Sequence, residues 1–452
     1  MSVSPDRVKP LNDRAPREGD FVLYLMQQSQ RAQDNDALEY AAAQANRRDL
    51  PLVVCFGLTS YPEANLRHYT FMLEGLAETA ATLRQRRIQF VLQLGEPSEV
   101  ALKIGRRAAL IVTDRGYLRI QKVWRKKLAS AARCPVVDVE SDVVVPIEIA
   151  SDKQEFAART LRPKLERVFE KYLVRPPKTK LEKGSLGLEL GGEEISSALL
   201  RRLQLDDSVP AVTSFFRGGT GAAETIFRRF LRAHFRNYRE HRNQPQTSDV
   251  SHMSKYLHFG QISPVWLALE ARKQKNAGAK NVASFIDELL VRRELAMNFC
   301  HFNEAYDTYG ALPEWARKSL GEHRRDKRAH VYSRAELEAG ATYDPYWNAA
   351  MREMRVSGYM HNYMRMYWGK KILEWSPSPE EAHATVLAIN NKFFLDGRDA
   401  NSFANVGWLF GLHDRPWPER SVFGKVRYMN AAGLERKCDI RAYVAKVNAL
   451  SE

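Results

Sequence analysis

The chain has 452 residues, 44% of them hydrophobic and 10% aromatic, with a formal net charge of +15 and an isoelectric point near 9.5. That length exceeds one compact core and predicts two or three domains, and the apolar content excludes a disordered chain. The basic balance points to a polyanionic partner, no apolar run approaches a membrane span, and MSVSPDRVKPLNDRAPREGD lacks a signal core, so a soluble intracellular protein is expected.

In chain order, the first third alternates between two periods. FVLYLMQ (21–27), PLVVCFGL (51–58), IQFVLQLG (88–95), AALIVTD (108–114) and CPVVDV (134–139) are short β-branched runs, as expected of strands buried on both faces. Between them, residues 37–48 and 64–87 carry helical spacing, Pro97 opens a third helix at its first turn, and Arg119 to Ala132 suit a fourth. Strand alternating with helix predicts a parallel, Rossmann-like α/β sheet with right-handed crossovers. Neither GxGxxG nor GxxxxGK[ST] is present, so ligand binding is expected only on general grounds, at the carboxyl ends of the strands. Cys55, Cys134, Cys300 and Cys438 are scattered, with no CxxC pair; they read as buried thiols, with no zinc or disulfide framework.

KYLVRPPKTKLEKGSLGLELGGEE (171–194) is rich in Pro, Gly and Lys and reads as a linker. From about Ser214 onward the pattern is mostly helical. The expected organisation is an α/β domain (1–170), a linker (171–213) and a large all-α C-terminal domain (214–452). Basic residues recur among aromatics in FRRFLRAHFRNYREHR (227–242), HRRDKRAH (323–330) and RSVFGKVRY (420–428), where one face could track a phosphate backbone.

In RMYWGKKILEW (365–375), Trp368 and Trp375 lie seven residues apart. On a helix they share one stripe, roughly 10 Å apart along the axis. Spacing alone favours two core residues.

Longer motifs add to this. SHMSKYLHFGQISP (251–264) resembles the flavin-pyrophosphate segment of the photolyase and cryptochrome superfamily. DELLVRRELAMNFCHFN (287–303), DPYWNAAMREMRVSGYMHNYMRMYWGKKILEW (344–375) and LDGRDANSFANVGWLFGLHDRPW (395–417) look like the class II cyclobutane-pyrimidine-dimer photolyases. The resemblance implies an enzyme that splits pyrimidine dimers in UV-damaged DNA, by light-driven electron transfer from reduced FAD to a flipped-out dimer. It also implies a helical FAD-binding domain, an N-terminal domain often holding an antenna pigment (a deazaflavin or a folate), and a monomeric state. Location would be cytoplasmic in a prokaryote and nuclear in a eukaryote.

The resemblance carries roles onto individual residues. Tyr238, Ser251, His252, Met253 and Ser254 match phosphate-contacting positions, and no acid falls within 251–264, which suits a pyrophosphate. Arg365 and Asp396 match a buried pair at the flavin, and Arg293 a second flavin-side arginine. Asn390 matches the residue at flavin N5, although Asn391 makes a one-residue slip conceivable. Glu288 matches the carboxyl group facing the dimer, expected in an apolar cavity with a raised pKa, and Met366 a cavity wall. Trp368, Trp347 and Trp375 match the proximal, middle and surface-exposed members of an electron-transfer chain. Trp408 matches the aromatic that packs on the lesion; Arg292 stands where some superfamily members have a second aromatic. Arg242, Asn243, Asp414 and Arg415 match residues at the DNA bubble. The competing readings are a cryptochrome-like photoreceptor, disfavoured because no long extension follows the helical motifs before RAYVAKVNALSE, a (6-4) photolyase, and a colourless DNA-binding module.

Overall fold

The structure is a computed structural model that describes residues 3–451. Its N-terminal layer is a six-stranded sheet of β1 (Val8–Pro10), β2 (Phe21–Leu25), β3 (Leu52–Leu58), β4 (Gln89–Leu94), β5 (Ala108–Asp114) and β6 (Val136–Val139) in the order β1-β6-β5-β2-β3-β4. All neighbours are parallel except β1, which runs antiparallel to β6. β2, β3 and β5 are buried along their whole length, as continuous β-branched runs require. The expected strands and helices are all present, the helices as α1 (Asp36–Arg47), α2 (Leu66–Gln85), α3 (Pro97–Ile104) and α4 (Arg119–Ala131). β1 gave no sequence signal. Three residues, VKP, are too short and polar to register, and proline is tolerated there because the strand lies at an edge.

Residues 173–195 form no regular element but run beside β4, the other edge. Glu193 N donates to Leu92 O at 2.7 Å, and Ser185 Oγ accepts from Gln89 N at 2.7 Å while donating to Leu52 O at 2.6 Å. A segment that looks like a flexible linker thus covers an edge that would otherwise offer unpaired backbone groups.

The remainder of the chain is a large helical body. It meets the sheet across a seam where buried arginines spend their donors on backbone carbonyls. Arg31 reaches Gly260 O and Ser141 O, and Arg67 reaches Met354 O and Phe393 O. Gly260 adopts φ +63°, and a Cβ there would lie 2.0 Å from Gln28 O, so only glycine allows the approach. The four cysteines are free and buried. No helix among the described residues is long and apolar enough to cross a membrane.

Candidate functional site

Helix Pro345–Ser357 starts at Asp344, whose side chain accepts from Tyr346 N and Trp347 N, with Pro345 in the first turn. This cap fixes Trp347 against the next helix, Asn362–Trp375. The Trp347 ring lies 6.5 Å from Trp368, nearly parallel at 13°, and 5.5 Å from Trp375 at 67°. Two rings two turns apart on one helix are therefore bridged by a third from its neighbour, as the sequence predicted. All three indoles are buried. Trp347 Nε1 donates to Trp368 O at 2.9 Å, whereas Trp368 Nε1 and Trp375 Nε1 have no partner.

Trp375 corrects an expectation. At 1% exposure it is not a surface residue; Tyr332 and Tyr343 pack over it at 5.3 and 5.7 Å.

At the other end of the row, Phe394 lies 6.2 Å from Trp368, and the Arg365 guanidinium sits 3.8 Å from the centre of the same ring. Arg365 forms a bidentate pair with Asp396 at 2.9 and 3.1 Å. Burial opposes the charge of Asp396, but Arg365 and the Ser254 hydroxyl outweigh it and hold the carboxyl below its ordinary range. Ser254, the first residue of the helix Ser254–His258, bonds Asp396 and is exposed. His252 adopts φ +56°, and its Nδ1 is buried without a partner; burial holds its pKa well below the usual value. Met253 is buried, and Ser251 is half-buried.

Asn390 and Asn391 close the helix Pro379–Phe393. Asn391 is wholly structural. Its Oδ1 accepts from Arg398 N at 2.9 Å and from Asn390 Nδ2 at 3.0 Å, and its Nδ2 reaches Glu63. This bracing turns the chain so that Asp396 returns to Arg365. Asn390, buried beside it, gives its Nδ2 to this network.

A second group of predicted residues gathers around Tyr238. Tyr238 packs among Phe230, Phe235 and Phe285 and feels the charges of Glu288 and Arg242. Glu288 lies in a π-helical turn, Asp287–Arg292, a feature frequent at functional sites. Its surroundings are not the apolar cavity expected: Oε1 accepts from Arg242 Nη1 at 2.6 Å, and both side chains are part-exposed. Asn243 and Arg292 are exposed, with Asp287 3.6 Å from Arg292. Arg293 is buried. Its guanidinium is spent on Asp142, at 2.6 Å to the carbonyl and 2.8 Å to the carboxylate. These contacts make it a strut between the two bodies.

Trp408 is half-buried near the end of helix Ala400–Leu409, and Met366 is part-buried against the same core. Two cations that the sequence did not single out flank Trp408: Lys370 and Arg427, each 5.3 Å from its ring. Arg427 also lies 4.3 Å from Trp417 and is held by Asp414 at 2.9 and 3.2 Å. Arg415 is exposed, 5.2 Å from Trp417. Lys370 is fully buried and bonds only Leu409 O; burial pushes its pKa down to about 7.

A cavity of about 110 Å³ opens at the carboxyl ends of β2 and β3, where the general rule for such sheets places ligands. Tyr61, Tyr69, Tyr117 and Trp124 line it, with His258 and Arg398 from the helical body. These residues come from widely separated segments, so no local motif could have revealed them.

Comparison with known proteins places the chain in a family. The DNA photolyase family model matches residues 22–182. The chain is 47% identical over 452 residues, the full length of both, to a deoxyribodipyrimidine photo-lyase of Methanothermobacter thermautotrophicus. It is 39% identical to the deoxyribodipyrimidine photo-lyase of Oryza sativa subsp. japonica, covering 98% of this chain and 91% of the relative. Its fold matches a class III photolyase from Agrobacterium tumefaciens with a TM-score of 0.75 at 16% identity, covering 96% of this chain and 87% of that one. A relative at 47% identity along the whole chain settles the membership, and the chain belongs to the DNA photolyase family, within the photolyase and cryptochrome superfamily.

Proposed function

We propose that this protein repairs cyclobutane pyrimidine dimers in DNA under light, as a class II enzyme with fully reduced FAD. The observation that carries the reading is Phe394, one ring that touches both the buried tryptophan row and the Arg365–Asp396 pair. A redox wire and a part-buried cation converge on one place, as a reducible anionic cofactor requires. The residues there fit that group: an orphaned imidazole nitrogen on His252, an exposed Ser254 whose hydroxyl bonds Asp396, and no acid in the segment 251–264. Bound there, FAD would supply the electron that opens the cyclobutane ring.

The chain's own residues do the rest. Ser251, His252 and Ser254, with Tyr238, bind and orient the pyrophosphate. Arg365 carries the positive charge that stabilises a reduced, anionic ring, while Asp396 keeps that charge affordable in a part-buried position. Asn390 offers an amide at the ring edge without a charge of its own. Trp408 stacks on the flipped lesion, whose poor pairing makes extrusion cheap. Glu288 and Arg242, joined to each other here, face the DNA side and separate when lesion carbonyls compete for them. The aromatic cavity beside β2 and β3 supports an antenna chromophore of the deazaflavin or folate kind, with Arg398 as its cation.

The test is dimer loss from UV-irradiated oligothymidine with chemically reduced, flavin-loaded protein, in blue light and in darkness. Light-dependent loss is expected. Repair of (6-4) photoproducts instead, or of neither lesion, would replace the reading with the (6-4) enzyme or the photoreceptor.

A further inference from the structure

The tryptophan row ends in a place where an oxidised ring cannot rest. Trp375 is 1% exposed, so external reductants cannot touch it. Its Nε1 has no hydrogen-bond partner, so an oxidised indole has no base to take its proton and must stay a cation. The Lys371 ammonium lies 5.4 Å from the Trp375 ring. Burial works against that charge, but Glu374, paired with it at 2.9 Å, more than restores it. A positive charge so close raises the energy of a second one on the ring, although the Glu374 carboxylate offsets part of that field. The electron hole is therefore pushed outward from Trp375.

The outward neighbour is Tyr343. Its ring lies 5.7 Å from Trp375, close to the 5.5 Å that separates Trp347 from Trp375. It is 54% exposed, among the most exposed of the large apolar side chains, and its ring packs on His330 at 4.2 Å. Its backbone N–H is pinned by the Tyr332 hydroxyl at 3.1 Å, so an exposed residue is held at fixed distance. We infer that Tyr343 is the terminal donor of the chain: it gives one electron to oxidised Trp375, releases its phenolic proton to water, and is restored by one electron and one proton from an external thiol. A tyrosine that loses both electron and proton becomes neutral, so the Lys371 charge no longer opposes it. Tyr332 also touches Trp375, but its hydroxyl serves the Tyr343 backbone and its ring is half-buried.

The inference rests on the flavin reading above. The experiment is flash photolysis of oxidised, flavin-loaded protein, following the radical spectrum in H2O and D2O for wild type, Tyr343→Phe and Tyr332→Phe. Wild type should show a tryptophan radical that converts to a neutral tyrosyl radical, more slowly in D2O. Tyr343→Phe should lose the tyrosyl band and shorten the charge-separated state about tenfold or more; Tyr332→Phe should keep the band. Tryptophan radicals with no tyrosyl successor in wild type, or a band that survives Tyr343→Phe, would overturn the assignment. Absence of any tryptophan radical would overturn the wire reading beneath it.

Discussion

Two sets of tryptophans lie on either side of one helix, and they are built in opposite ways. Trp347, Trp368 and Trp375 are buried among other apolar side chains, two of them with unpartnered N–H groups. Trp408 and Trp417 are part-exposed and ringed by Lys370, Arg427 and Arg415. Consecutive lysines divide the work: Lys370 addresses Trp408 and Lys371 addresses Trp375. An indole in a dry row is suited to passing charge. One clamped between cations at an open edge is suited to stacking on a base beside phosphates. The residue type is the same, and its surroundings decide the role.

The strongest way to break this contrast is Trp368→Phe. Phenylalanine is far harder to oxidise, so light-driven reduction of the flavin should slow about a thousandfold, roughly 4 kcal/mol in barrier. Dimer repair by chemically pre-reduced enzyme should remain. Equal loss of both would deny that the row is a wire. Next comes Asp396→Asn, which leaves Arg365 part-buried against Phe394 without its counter-charge. Removing one partner of such a pair should cost about 3 kcal/mol of stability, read from the denaturant midpoint of flavin-free protein. No change would mean that the pair is solvated and does not define the site.

Trp408→Ala tests the other half. Base stacking on an aromatic is worth about 1–3 kcal/mol, so affinity for dimer-containing DNA should fall about tenfold to a hundredfold, with undamaged duplex little affected. Equal weakening on both DNAs would make Trp408 a general contact.

How much of this was legible in the sequence depends on how local the signal is. The five parallel strands announce themselves because each is a continuous β-branched run, and Trp347 was singled out because DPYWNA lies in a long motif resembling the class II enzymes. Burial of Trp375 was not legible, since it depends on residues 330–343 folding back over the end of a distant helix. Glu288 misled for a similar reason: the arginine that pairs with it lies 46 positions earlier. Phe394 sits between two recognised residues, yet nothing in FFLD distinguishes a junction from core. Arg427 was visible only as one more charge in RSVFGKVRY; its place between two indoles is a fact of tertiary structure.

Lys370→Met sharpens the comparison through pH. The unfolded chain keeps this proton up to the ordinary lysine value of 10.5, whereas the folded chain releases it above about 7. Between those values the unfolded state binds more protons, so wild-type stability rises with pH, by about 1 kcal/mol from pH 7 to pH 8. Methionine removes that contribution, and its profile should be flatter over the same interval. Parallel profiles would show that Lys370 stays charged, and that Trp408 is flanked by two permanent cations.

The smallest effect should come from Arg415→Ala. Arg427 and Arg415 both lie over Trp417, but only Arg427 has a carboxylate, and Asp414 holds it in place. A cation already neutralised by a neighbour releases few counterions on DNA binding, whereas the exposed Arg415 side chain can meet a phosphate. Its loss should weaken damaged and undamaged DNA alike, about threefold, and lower the salt slope by about one. That outcome would separate a side chain that tracks the backbone from the aromatic that holds the lesion. A loss confined to dimer DNA would instead place Arg415 with Trp408 in the lesion pocket, and the open edge of the molecule would then have no part reserved for phosphate alone.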